Sequence, residues 1–350
     1  MLPEVNKEVP SIQDWRELYK AALELKSLRP WDLMRDVDMF GVQNPVDGET
    51  GYCCFLGSGG EIFGMVVYLG SEGLEGYLKV QRGEVGPEDQ DALHYKKCLL
   101  VTFDDKRYVE KQDLEVIKNA GLEFKGKNSW PVFRSYRPGF FPWYLTKQEA
   151  DFFILCLQQA QEMFVRFREN PGFLVSPDGE SYLVRTREDS EQGARWKDSR
   201  LQPVFLRKVV LMAQTIDKGR IENIKKISSP VKQTWEVDYF YSPACIAEKG
   251  ERPYYPLILF FVDSDSFFII NAHMTTSDKY KVEFCEQFLK AIEAVKVIPA
   301  EIQVRKEELC IFFERLAAEF GIKVRTVKNL RAVDDVRRHM EKSFGRQRKR

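Results

Sequence analysis

Between Trp235 and Met340 the apolar positions change their period at almost every turn signal. Trp235, Val237, Tyr239 and Tyr241 alternate with Glu236, Asp238 and Phe240, the pattern of a pleated strand, and Pro243 ends it. Pro256 to Val262 is a nearly continuous apolar run, which predicts a central strand covered on both faces and is too short for a membrane span. Asp263-Ser264-Asp265-Ser266 supplies turn residues, and Phe267 to Ala272 returns as the hairpin partner. The spacing then lengthens to that of a helix from about Asp278 to Val297, with Ser277 or Asp278 as N-cap and Phe284, Cys285, Phe288, Leu289, Ile292 and Val295 in one stripe. A short strand, Glu301 to Val304, precedes a helix carrying Leu309, Phe312, Phe313, Leu316, Ala317 and Phe320, which Gly321 stops. Ile322 to Val327 reads as a fifth strand and Asp334 to Phe344 as a last, basic helix.

The same reading applied from the start predicts a helix from Ser11, paired with Asp14 as a cap, to about Leu28, with Trp15, Leu18, Tyr19, Ala22 and Leu25 inward. Strands over Gly51 to Leu56 and Ile62 to Leu69 are joined by Gly57-Ser58-Gly59-Gly60. A glycine loop cradles phosphate when it leads into a helix, and this one leads into a strand, so it reads as a hairpin turn. Ser71 is expected to cap a short helix to Tyr77, Lys97 to Phe103 is a strand, and Gln112 to Ala120 is a helix stopped by Gly121. Thr146 with Glu149 opens a helix to about Arg168, which Asn170-Pro171-Gly172 breaks. A hairpin of Phe173 to Val175 with Tyr182 to Arg185 is expected across Pro177-Asp178-Gly179, followed by a charged surface loop from Arg187 to Arg200. Leu206 to Ile227 fits strand or helix. These elements predict an α+β chain: an N-terminal α+β domain over residues 1–170, a hairpin and connector over 171–230, a mixed-sheet α/β domain over 231–344 and a basic tail over 345–350.

Composition narrows the partners. Lys plus Arg equals Asp plus Glu at 53 each, so the chain as a whole is no polycation, and its aromatic content argues for folded domains. Met1 to Pro10 has no apolar run of a signal peptide. Seven cysteines without paired spacing read as buried thiols in a reducing cytoplasm, and Cys53 and Cys54, adjacent on a strand, face opposite sides. With three histidines and no Cys-x-x-Cys, the expectation is no metal, no cofactor and no membrane association. From Lys125 to Tyr144, Trp130, Phe133, Tyr136 and Phe140 are interleaved with Arg134 and Arg137, a mixture that suits single-stranded nucleic acid and equally a core or a protein interface. Arg346, Arg348, Lys349 and Arg350 end the chain as a solvated tail or an electrostatic arm for nucleic acid.

Three strands followed by helix, strand, helix, strand, helix is the order of the ribonuclease H-like fold. Trp235-Glu236-Val237-Asp238, Val262-Asp263-Ser264, Ile298-Pro299-Ala300-Glu301-Ile302-Gln303-Val304 and Phe320-Gly321-Ile322 resemble the spaced signature of a transposase core. The resemblance implies a metal-binding acid on the first strand, one ending the fourth and one in the last helix. Asp238 matches the first, and Asp334 or Asp335 the last. At the second stand Arg305 and Lys306, cations that would repel the metals, so these acids are read as vestigial and Asp238 is expected as a polar residue on the solvent face of its strand. The whole chain also resembles a family of uncharacterised bacterial proteins with two domains of unknown function. That resemblance is carried by Trp15-Arg16-Glu17-Leu18-Tyr19, Pro30-Trp31, Gly51-Tyr52-Cys53, Gly60-Glu61-Ile62-Phe63-Gly64, Tyr68-Leu69-Gly70 and Trp130-Pro131-Val132-Phe133-Arg134-Ser135-Tyr136. The expected function is a non-catalytic nucleic-acid-binding or protein-binding module on a decayed ribonuclease H-like core. The alternatives are a metal-dependent nuclease and a purely protein-interaction role.

Overall fold

Ser11 opens the first helix, α1 (Ile12–Leu28), by a reciprocal cap: its hydroxyl accepts the Asp14 N–H at 3.2 Å while its own N–H donates to the Asp14 carboxylate at 2.8 Å. In the computed structural model, which describes residues 9–86, 92–190, 193–205, 217–248, 250–277 and 279–347, this helix belongs to the first of two units. The first unit is Met1–Pro138 with Pro142–Leu206, and the second is Gly139–Phe141 with Arg207–Arg350. Together they are α+β, each unit with its own mixed sheet.

In the first unit α1 is followed by β1 (Phe40–Gln43), β2 (Thr50–Leu56), β3 (Gly64–Leu69), α2 (Gly70–Gln81), β4 (Cys98–Asp104), α3 (Lys111–Asn119), β5 (Trp130–Tyr136), α4 (Lys147–Glu169), β6 (Tyr182–Ser190) and β7 (Gly193–Leu201). The sheet runs β5-β4-β3-β2-β1-β6-β7, antiparallel except where β6 joins β1. One face buries Phe40, Phe55 and Phe133 under α1 and α4, with Phe153 among them, and the other buries Tyr52, Cys54 and Val66 with Leu74 of α2. Thr146 and Glu149 cap α4 reciprocally. Gly57 to Gly60 is a hairpin turn between β2 and β3; Gly57, at φ +126°, has room for no side chain because a Cβ there would lie 2.7 Å from the Phe63 ring. Helix α2 begins at Gly70 with no side-chain cap, so Ser71 lies inside it.

The region after α4 departs from the sequence reading. Pro171–Leu174 is a 3₁₀ turn, and Asp178 holds the next loop by accepting the N–H groups of Glu180 and Ser181 and the hydroxyl of Ser176. Tyr182–Ser190 therefore pairs with β1 and with Gly193–Leu201, and the charged run read as a loop is an edge strand. Its charges are accommodated by partners: Asp198 accepts from Arg166 of α4 and Arg185 of β6, which hold its pKa at about 2, and Lys197 pairs with Glu188.

The second unit is α5 (Lys218–Ile227), β8 (Ser229–Tyr241), β9 (Leu257–Asp263), β10 (Ile269–Thr275), α6 (Tyr280–Val295), β11 (Val297–Val304), α7 (Glu307–Ala318), β12 (Lys323–Thr326) and α8 (Arg331–Gln347). The sheet order is β10-β9-β8-β11-β12, so the first of its strands lies beside the fourth. β9 runs antiparallel to its neighbours, while β8, β11 and β12 are mutually parallel. Every residue of β9 is buried, as an unbroken apolar strand requires. Helices α5, α6 and α7 close one face over Trp235, Phe261, Phe288 and Phe313; α8 closes the other over Phe240, Ile258, Phe260 and Val262. Phe267, expected in the third strand, has φ +60° in the preceding turn, and the N-cap candidate Asp278 lies outside the described residues. Of the segment left open, 206–216 also lies outside them, and α5 is a helix capped by Asp217. Among the described residues no helix is long and apolar enough to cross a membrane.

Candidate functional site

The register of the second sheet brings acids and cations from β8, the end of β11 and α8 together around the buried Asp238. Parallel pairing sets Val304 of β11 opposite Val237 of β8. Arg305 and Lys306, which leave the end of β11, therefore come alongside Asp238. The Asp238 side chain is 6% exposed; Lys306 Nζ donates to its Oδ1 at 2.6 Å, and Arg305 Nε lies 3.8 Å from its Oδ2. Arg305 also donates to Asp334 of α8. Lys306 is fixed further by the Tyr239 carbonyl and lies 4.1 Å from the centre of the Tyr239 ring, whose hydroxyl donates to Glu308.

Asp334 reaches the cluster because α8 is anchored by a second buried acid. Glu236 lies two residues before Asp238 and so shares its face of β8. Its Oε2 accepts the N–H groups of Ala332 at 2.8 Å and Val333 at 3.0 Å, where a helix N-terminus leaves unpaired donors and favours negative charge. Asp335 does not join: it pairs with Arg338 and His339 of its own helix, each at 3.3 Å. Among the described residues no three or more His, Cys, Asp or Glu side chains are grouped to hold a metal ion. A lysine ammonium and an arginine guanidinium occupy the acceptor oxygens of Asp238 and Asp334. Chemically the cluster is an internally neutralised ion network that ties β8, the β11–α7 junction and α8 together.

The aromatic and basic candidates of the first unit lie elsewhere in its fold. Trp130 is buried in the core, with Lys106 Nζ 5.5 Å from its ring. Arg134, 12% exposed, makes a two-point contact with Asp113 of α3 at 2.9 and 2.8 Å. Burial disfavours its charge, but Asp113 and Glu110 outweigh this and raise its pKa. Arg137 donates to Glu149 at 2.6 Å; burial would raise that carboxyl, and Arg137 with the Thr146 N–H and Ser135 hydroxyl holds it below the ordinary range. Both guanidinium groups are thus engaged inside the unit. Arg346 lies in the last turn of α8, and Arg348, Lys349 and Arg350 lie outside the described residues. All seven cysteines are free thiols, and Cys53 and Cys54 enter opposite cores.

The sequence reading named Asp238 and Asp334 as candidates, but it expected Asp238 on a solvent face, where it is buried because Lys306 compensates its charge, and it missed the pairing of Lys306 and the capping by Glu236. The signal for Glu236 was present: two acids at alternate positions of a strand share a face, and a buried face demands partners for both.

Each unit has a counterpart among known sequence families. The chain pairs two domains of unknown function. Residues 15–185, from α1 into β6, match the model described as Domain of unknown function (DUF7309), and residues 220–341, from α5 into α8, match Domain of unknown function (DUF6930). No curated protein matches the chain.

Proposed function

We propose that the second unit is a ribonuclease H-like scaffold that works as a non-catalytic binding module. The observation that carries this reading is the Lys306 ammonium seated on Asp238 with Arg305 bridging towards Asp334. In-line phosphoryl transfer on two metal ions needs carboxylate oxygens open to the metals, and a fixed cation at that point opposes them by like charge. The strand order supports the scaffold, since β8 beside β11 is the neighbour relation that the resemblance demands. Charge favours an anionic partner: residues 207–350 hold 27 Lys and Arg against 20 Asp and Glu, while residues 1–206 hold 26 against 33. Nucleic acid is therefore preferred over a protein surface for this unit, and a bacterial cytoplasm with its reducing thiol pool is the setting we assign.

The test is a cleavage assay on labelled DNA and RNA with magnesium or manganese. The expected outcome is no metal-dependent product. Cleavage by the wild-type chain that disappears in Asp238→Asn would replace this reading with that of an active nuclease.

A further inference from the structure

One end of the first sheet gathers cations from three separate stretches of chain. The loop after β4 and the loop before β5 are tied together: the Asn128 N–H donates to Asp105 at 2.9 Å and the Ser129 N–H to the Asp104 carbonyl at 3.1 Å. Lys26, from the last turn of α1, reaches the same place and donates to the Ser129 hydroxyl at 3.3 Å. The juxtaposed loops carry Lys106, Arg107, Lys125 and Lys127, all on the surface. Three acids lie among them: Asp104 accepts from Thr102, Asp105 holds Asn128 and lies 3.8 Å from Arg107, and Glu123 lies 3.8 Å from Lys125. Among the described residues Lys26, Lys106 and Lys127 form no ion pair with a carboxylate. Lys26 is partly buried in that condition, beside Ser129 and 5.4 Å from the centre of the Phe103 ring, and burial lowers its pKa. A desolvated ammonium without a counter-ion is stabilised by any anion brought to it. Tyr108, next along the chain, is 63% exposed, with the Arg107 guanidinium 4.7 Å from its ring centre.

We propose that this end of the first unit is a binding surface for single-stranded nucleic acid, with Lys26, Lys106, Arg107, Lys125 and Lys127 on the phosphates and Tyr108 as a platform for a base. Five cations, three of them without a carboxylate partner, beside an exposed aromatic ring match such a strand, which offers a phosphate and a π-face at every nucleotide. A rigid acidic protein surface would leave the Tyr108 ring without a specific partner. The surface sits on a unit with an excess of acids, so the unit as a whole does not attract a polyanion and the binding proposed here depends on these local cations. The inference does not rest on the reading of the second unit.

The experiment is fluorescence anisotropy of a labelled oligothymidylate titrated with the full chain over a range of salt concentrations. Comparison proteins are the triple variant Lys106→Gln, Lys125→Gln, Lys127→Gln, the single variant Tyr108→Ala, and a triple Lys→Arg control at the same positions. Thermal melts verify that each is folded; the substituted side chains are exposed, so the fold should persist. The wild type is expected to bind with affinity that falls as salt rises. The triple Gln variant should lose about tenfold or more at low salt and flatten the salt slope by about 0.7 for each phosphate it no longer neutralises, and the Arg control should retain both. Tyr108→Ala should weaken binding by about tenfold with its slope unchanged. Equal affinity and slope for wild type and triple Gln variant, absence of wild-type binding, or preference for poly-glutamate or anionic vesicles over the oligonucleotide would each overturn the proposal. Cleavage activity in the second unit would leave it standing.

Discussion

Lys306 shows how one side chain decides the character of a site. Asp238 is almost fully buried, and an unpaired carboxylate there would be strongly disfavoured; Lys306, 25% exposed, supplies the closest compensating charge. Lys306→Met should therefore destabilise the second unit by about 2–3 kcal/mol, because Arg305 at 3.8 Å compensates the carboxylate only in part. Urea denaturation measures it. Adding Asp238→Asn to Lys306→Met should recover part of the loss by removing the orphaned charge, and a double variant no more stable than the single one would contradict this account. The Arg305–Asp334 pair is over a third exposed on both sides, so Arg305→Met should change stability by less than about 1 kcal/mol.

At the scale of elements, α8 is attached to its sheet by an apolar stripe and a cap borrowed from another strand. Ala332 and Val333 are buried, and both of their N–H groups end on Glu236. Glu236→Ala should loosen the first turn of α8 by about 1–2 kcal/mol, visible as faster amide hydrogen exchange at residues 332–334 while β9 stays protected. Unchanged exchange would mean that packing alone holds the helix. Elements with local signals were legible: α1 and α4 carry reciprocal caps in their own sequence, and β9 is apolar from Leu257 to Val262. β7 was not, because Arg195, Lys197, Asp198 and Arg200 hide the alternation, and its charges find partners on β6, α4 and the loop before β6 only after folding.

For the whole molecule, a neutral total conceals two units of opposite sign, since residues 1–206 carry seven more acids than cations and residues 207–350 seven more cations than acids. Cutting the chain after Phe344 removes Arg346, Arg348, Lys349 and Arg350. If those residues are an electrostatic arm for duplex nucleic acid, the truncated protein should bind a labelled duplex more weakly, with a salt slope smaller by about 0.9 for each phosphate it no longer neutralises. Matching slopes for full and truncated chains would reduce the tail to a solvated end.

What the chain determined by itself was local: helix starts from side chains that cap their own backbone, strand burial from period, and the order of elements in the second unit. The acid candidates Asp238, Asp334 and Asp335 could be named for the same reason, as residue types at fixed places in that order. Only the tertiary structure decided their state. Parallel pairing of β8 with β11 brings Lys306 to Asp238, and the seating of α8 on Glu236 brings Asp334 to Arg305, across 68 and 29 residues of chain. The joining of β6 to β1 was likewise beyond reach of the sequence, because a parallel pair between distant strands leaves no turn motif between them. Long-range pairing has no local signal, and charge compensation depends on long-range pairing.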